Sequence, residues 1–115
     1  MGDMYFTQRN KYRNIRCEYQ GMFFDSQKEL ERWIILTYDQ RAGKISNLRR
    51  QVRYELIPSQ KTKNGTLRPV YYIADFVYTE NGNTIVEDAK GIRTDAYIIK
   101  KKLMYERYGI LILET

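Results

Sequence analysis

The residues whose types and spacing point to chemistry lie in the second half of the chain. Asp75 interrupts the apolar run Tyr71-Tyr72-Ile73-Ala74-Asp75-Phe76-Val77, and Ile85-Val86 runs into Glu87-Asp88-Ala89-Lys90. A carboxylate in a strand destined for the core is costly unless it is paired or binds a cation. Strand alternation puts Asp88 and Lys90 on one face and Glu87 and Ala89 on the other. Asn81-Gly82 between the two segments is a hairpin signal, and a hairpin there brings Asp75 near Asp88. Two carboxylates and an ammonium then converge at a sheet edge where Gly91 allows close approach. The competing reading is a structural salt bridge in which Lys90 neutralises one or both aspartates.

A third acid, Glu29, stands three residues after Ser26, the spacing of a capping box. The same position also directs a carboxylate from the start of a helix toward the sheet edge, and the two roles are compatible. Basic residues form softer groups. Lys100, Lys101 and Lys102 with Arg93 and Arg107 could contact a phosphate backbone, although a lysine run on a helix is usually a solvated face. Lys44, Arg49, Arg50 and Arg53 make a second cluster, Lys61 and Lys63 a basic loop. Tyr97 and Lys101, one turn apart, are expected to face the site. Most of the 11 tyrosines should sit at the core edge, with one or two able to stack on bases.

These residues need a frame. Residues 1–11 lack a period and read as a loose tail, and Tyr12 to Phe24 as a short hairpin turning at Gln20-Gly21. A helix capped by Ser26 places Leu30, Trp33, Ile34 and Thr37 on one face and stops at Gly43. Strands follow over Val52–Leu56, Val70–Tyr78 and Thr84–Ala89, the first two joined by the polar stretch Ser59–Leu67. Thr94 caps a second helix to about Tyr108, with Ala96, Ile99, Leu103 and Met104 inward. Gly109 ends it, and Ile110–Leu113 reads as a short buried strand. The order is hairpin, helix, three strands, helix, strand. The last strand needs a crossover, so it should pair parallel to a central strand. The class is α/β, an α+β arrangement with a mixed sheet and a helix on each face.

A chain of 115 residues is one domain, 1–115, with enough apolar content for a single core. The absence of histidine excludes hydrolases with a histidine base and imidazole metal sites. Cys17 is the sole cysteine, so no internal disulfide forms. No apolar run approaches the ~18 residues of a membrane span, and the N-terminus lacks a signal-peptide core, so a cytoplasmic location and no membrane partner are expected. Twenty Lys and Arg against 14 acids give a net charge of +6, which favours a polyanionic partner such as nucleic acid.

At Asp75, Asp88-Ala89-Lys90 and Glu29, within this element order, the sequence resembles the PD-(D/E)XK nuclease superfamily. More narrowly, Lys11-Tyr12, Gly21, Phe24-Asp25-Ser26, Gln51, Ala74-Asp75-Phe76, Asp88-Ala89-Lys90-Gly91, Thr94 and Tyr97 resemble a family of small phage and prophage proteins of unknown function within it. Ala74 stands where proline is common, and Glu87 beside Asp88 makes the tripeptide ambiguous. Asp88 is preferred because it shares a face with Lys90. The resemblance implies a restriction-endonuclease-like αβββαβ core and Mg2+-dependent hydrolysis of DNA, with Mn2+ able to substitute. Asp75, Asp88 and the carbonyl of Ala89 would hold the cation, with Glu29 beside them, and Lys90 would orient water or stabilise charge on the phosphate. Arg49, Arg50, Arg93, Tyr97 and Lys100–Lys102 would contact DNA. Branched DNA is the first substrate expected, a homodimer the expected assembly, and a bacterial host cytoplasm the setting if the chain is phage-encoded. The alternative is a non-catalytic DNA-binding or assembly module that keeps the fold.

Overall fold

The computed structural model of the chain describes residues 4–9, 15–89 and 93–115. Lys90, Gly91, Lys11-Tyr12 and the predicted start of the hairpin lie outside the described residues. Three antiparallel strands open the chain: β1 (Met4–Arg9), β2 (Ile15–Tyr19) and β3 (Met22–Phe24), in that order across a small sheet. The hairpin of β2 and β3 is as predicted, turning at Gln20 and Gly21, both at positive φ. The expectation of a loose tail is corrected, because residues 4–9 pair with β2. A register shift between Phe6 and Gln8 breaks the period-2 pattern that would have betrayed the strand.

Helix α1 (Gln27–Arg41) begins at Ser26, whose hydroxyl accepts from the Glu29 amide at 3.1 Å. Leu30 and Leu36 are its fully buried apolar residues, with Trp33 between them. After it comes the main sheet, of strand order β4-β7-β8-β9: β4 (Ser46–Ile57), β7 (Val70–Glu80), β8 (Asn83–Asp88) and β9 (Leu113–Glu114). The first three are antiparallel, and β9 joins β8 in parallel after helix α2 (Asp95–Tyr108). The connection between β4 and β7 is itself a small exposed hairpin, β5 (Gln60–Thr62) and β6 (Gly65–Leu67).

Ile85 and Val86 are neighbours on β8, so they point to opposite faces. Ile85 packs into a cluster with Leu36 of α1, and Val86 into one with Met104 of α2. A helix therefore covers each face, as the element order implied. Three boundaries differ from expectation. Strand β4 starts at Ser46, well before Val52, because an edge strand with a charged outer side carries no apolar alternation there. Strand β9 has two residues instead of four, with Ile112 buried and Leu111 and Leu113 exposed. Helix α2 is rotated from the predicted phase: Ala96 and Ile99 are exposed, while Tyr97, Leu103 and Met104 face the sheet. Tyr97 sets that phase, with its ring 6.4 Å from that of Tyr72 and its hydroxyl bonded to Glu114.

Cys17 is buried in the cluster that joins the small sheet to α1. Burial, and secondarily the charge of Glu31, push its thiol above its ordinary pKa, which keeps it protonated and inert.

Candidate functional site

The main sheet carries one row of polar residues across its strands. Arg50 pairs with Phe76 and Val52 with Ala74, so Gln51 lies opposite Asp75. Phe76 pairs with Glu87, and the next step of that register sets Asp75 against Asp88. Asp88 in turn pairs with Glu114. Gln51, Asp75, Asp88 and Glu114 thus occupy one line over four strands, built from a hairpin turn at Asn81-Gly82 and a parallel return through α2.

Asp75 has no solvent exposure, and both its oxygens are engaged. Oδ2 accepts from the Ala89 amide at 2.8 Å, and Oδ1 from the Gln51 side chain at a long 3.5 Å. Asp88 is 8% exposed and accepts from the Tyr72 hydroxyl at 2.9 Å. Burial first, then the adjacent Asp88 charge and their hydrogen bond, push the Tyr72 phenol far above its ordinary range, so it stays a proton donor. Glu29 enters from α1, 1% exposed. Its backbone amide serves the Ser26 cap while its carboxylate turns toward β4, where Oε1 lies 3.3 Å from Gln51 Nε2 and 3.5 Å from Arg50 Nη2. The helix cap and the placement of this acid are therefore two uses of one residue.

Glu87 has a separate role. It is fully buried on the α1 face, clasped by Arg32 through two nitrogens, Nε and Nη2, one to each carboxylate oxygen, and accepts from Tyr78 at 2.7 Å and Thr115 at 2.9 Å. The hydrogen bond to Glu87, ahead of its charge, raises the Arg32 pKa further above its already high value. The sheet sends the two adjacent acids to opposite faces: Glu87 pairs with Arg32, and Asp88 faces Tyr72.

The basic residues divide into two groups. Arg50 is packed rather than presented, its guanidinium 3.8 Å above the Phe24 ring and donating to the Phe23 carbonyl at 2.8 Å. Arg49, Arg53 and Lys44 are exposed along the β4 edge, Arg53 lying over the Tyr71 ring. On α2, Lys102 is exposed, Lys100 half-buried, and Lys101 donates to Glu114 at 3.2 Å. Arg93 and Tyr97 bond to the same carboxylate. Sequence reasoning did not single out Glu114. Its signal was slight, an acid at the end of an apolar run, and only the parallel pairing places it beside Asp88.

The bond from Tyr97, then Lys101 and Arg93, holds the Glu114 carboxyl below the usual glutamate range. A lowered folded-state pKa gives stability above the unfolded value, about 4.3, and that stability is lost as pH falls through the folded value. The Thr115 amide, which donates to the Asp88 carbonyl at 3.0 Å, is a reporter. Its NMR shift is expected to move with a midpoint below that of free glutamate. A midpoint at or above it would remove the assignment.

A cation here would meet carboxylate and carbonyl oxygens, the donor set of a hard ion. The Ala89 amide and Gln51 carboxamide at Asp75, and the Tyr72 phenol at Asp88, are donors of the kind that orient carboxylate ligands. Among the described residues no three acidic or thiol side chains close on one point tightly enough to enclose an ion unaided. Such an open row fits only an ion that keeps several of its own waters.

A family model matches residues 9–114, nearly the whole chain, and is described as a protein of unknown function (DUF1064). No curated protein and no solved structure matches. Among the described residues, no helix is long and apolar enough to cross a membrane.

Proposed function

The chain belongs to the DUF1064 family, and we propose that it is a Mg2+-dependent DNA endonuclease of PD-(D/E)XK type. The observation that carries the reading is that three buried acids come from three elements to one region: Asp75 of β7 and Asp88 of β8 stand in one row across the sheet, and Glu29 of α1 reaches that row through Gln51, which contacts both Glu29 and Asp75. Buried carboxylates are costly; Glu87 is offset by Arg32 on the α1 face, whereas Asp75, Asp88 and Glu29, the last beside Arg50, are gathered around the Gln51 step of the sheet. The net charge of +6 and the exposed Arg49, Arg53 and Lys102 supply a surface for a phosphate backbone.

In this reading Asp75, Asp88 and the Ala89 carbonyl hold the cation, with Glu29 on the helix side. The bound ion supplies Lewis-acid polarisation of phosphate and a more acidic water. The chain's own contribution is positional. The Ala89 amide and the Gln51 side chain fix the two oxygens of Asp75, and the Tyr72 hydroxyl fixes Asp88. Lys90, next after Ala89 in sequence, supplies the ammonium that stabilises charge on the phosphate. Exposed Leu113 of the edge strand β9, with Leu111 just before it, offers a contact to a second copy, as a symmetric cutter of paired strands needs.

The test is incubation with supercoiled plasmid and with synthetic four-way junctions, in Mg2+, in Mn2+ and in chelator. Cleavage in either cation and none in chelator is expected, with junctions cut faster than linear duplex. If neither DNA is cut while both are bound, and Asp75→Ala leaves that binding unchanged, the protein is a DNA-binding module instead.

A further inference from the structure

We infer that Gln51 is a positioning residue that sets the spacing of Glu29 and Asp75, an inference that rests on the metal-site reading above. Gln51 has φ +53°, the left-handed region, in the middle of a twelve-residue strand. For a residue that is not glycine this is a strained backbone, kept only where the surroundings impose it. Here it falls directly opposite Asp75, not at a turn.

The strain has a visible product. Even-numbered residues of one strand should share a face. On β4, Arg50 packs on Phe24 with the α1 side, whereas Val52, Tyr54 and Leu56 pack with α2. On β7, Tyr72 and Ala74 pack with α2, whereas Phe76 and Tyr78 pack with the α1 cluster. Both strands turn over at the Gln51–Asp75 step, and the register is the same on either side, so no residue is inserted. The turn-over lets two consecutive side chains, Arg50 and Gln51, approach the same Glu29 oxygen, at 3.5 and 3.3 Å. Regular alternation would send them to opposite faces. It also leaves Gln51 Nε2, which has two hydrogens, within reach of Glu29 Oε1 and Asp75 Oδ1 together. A neutral amide between two carboxylates holds them at a fixed separation without neutralising either one, as a cation ligand set requires.

Gln51 is solvent-exposed, so its replacement opens no cavity, and the strain itself distinguishes a positioning role from a structural one. Glycine removes both the amide and the strain, alanine only the amide. In the full-length protein, Mn2+ affinity measured by calorimetry should weaken roughly 10- to 100-fold in both Gln51→Ala and Gln51→Gly. The cation-free Gln51→Gly protein should melt at or above wild type. If either variant binds Mn2+ within twofold of wild type while Asp75→Asn abolishes binding, Gln51 does not position the acids and the metal site stands without it. If Gln51→Gly loses melting temperature and affinity together, its role is structural and the inference fails. If wild type and Asp75→Asn alike bind no Mn2+, the metal-site reading falls and takes this inference with it.

Discussion

Asp75→Asn is expected to abolish Mg2+-dependent cleavage while leaving the chain folded. The two side chains have the same shape, and the asparagine oxygen can still accept from the Ala89 amide, which the carboxylate meets at 2.8 Å. The neighbouring Gln51 amide can rotate to present oxygen to the new amide. What disappears is the negative charge at the centre of the row. A cation that polarises phosphate contributes several kcal/mol of charge stabilisation in the transition state, and about 4 kcal/mol corresponds to roughly 10³-fold in rate. Plasmid and junction cleavage rates give the activity, and circular dichroism checks the fold. Cleavage by the variant at even a tenth of the wild-type rate would remove Asp75 from the chemistry.

The opposite phenotype is expected twelve residues later. Glu87→Ala should leave the row intact and strip the fold of its buried ion pair. It abandons the Arg32 guanidinium, which is 27% exposed, and the buried Tyr78 hydroxyl without their shared acceptor. Breaking a buried pair on one side costs about 3–5 kcal/mol. At about 4 °C per kcal/mol for a domain of this size, the melting temperature falls by roughly 10–20 °C. Cleavage assayed well below the new midpoint should stay close to wild type. Replacing both partners with apolar residues, Arg32→Met with Glu87→Leu, should regain much of the loss, since no charge is then stranded. A large loss of activity in a folded Glu87→Ala protein would mean that this acid, not only Asp88, serves the site. The two acids, Asp75 and Glu87, are then separable by experiment, one through rate and the other through melting.

Much of this arrangement is legible in the sequence. The periods of β7 and β8, the Asn81-Gly82 turn and the Ser26 cap sufficed to place Asp75, Asp88 and Glu29 on the elements that carry them, because each signal is local. Two kinds of feature escaped. The phase of α2 was misread because Ala96 and Ile99 look like core residues. The true phase is set by a ring contact with Tyr72 and a hydrogen bond to Glu114, partners 25 and 17 positions away in the chain. Arg50 looked like part of a basic surface, yet its guanidinium lies on Phe24 and bonds to the Phe23 carbonyl, contacts with residues 26 and 27 positions away in the chain. The inward turn at Gln51 had no local signal at all, since nothing in Arg50-Gln51-Val52 marks a left-handed residue.

The Arg32–Glu87 pair also bears on how the sheet finds its alignment during folding. Glu87 and Asp88 are adjacent acids, so sliding β8 by one residue against β7 would send Glu87 toward Tyr72 and offer Asp88 to Arg32. Such a slip would exchange the two faces of the strand, and the shorter aspartate would have to span the gap to a guanidinium that Glu87 meets with both of its oxygens. Val86 and Ala89 would move to the wrong layers in the same step. The ion pair on one face of the sheet is thus a registration mark: it penalises the slipped pairing, while the apolar layers hold the acids of the other face in the native one.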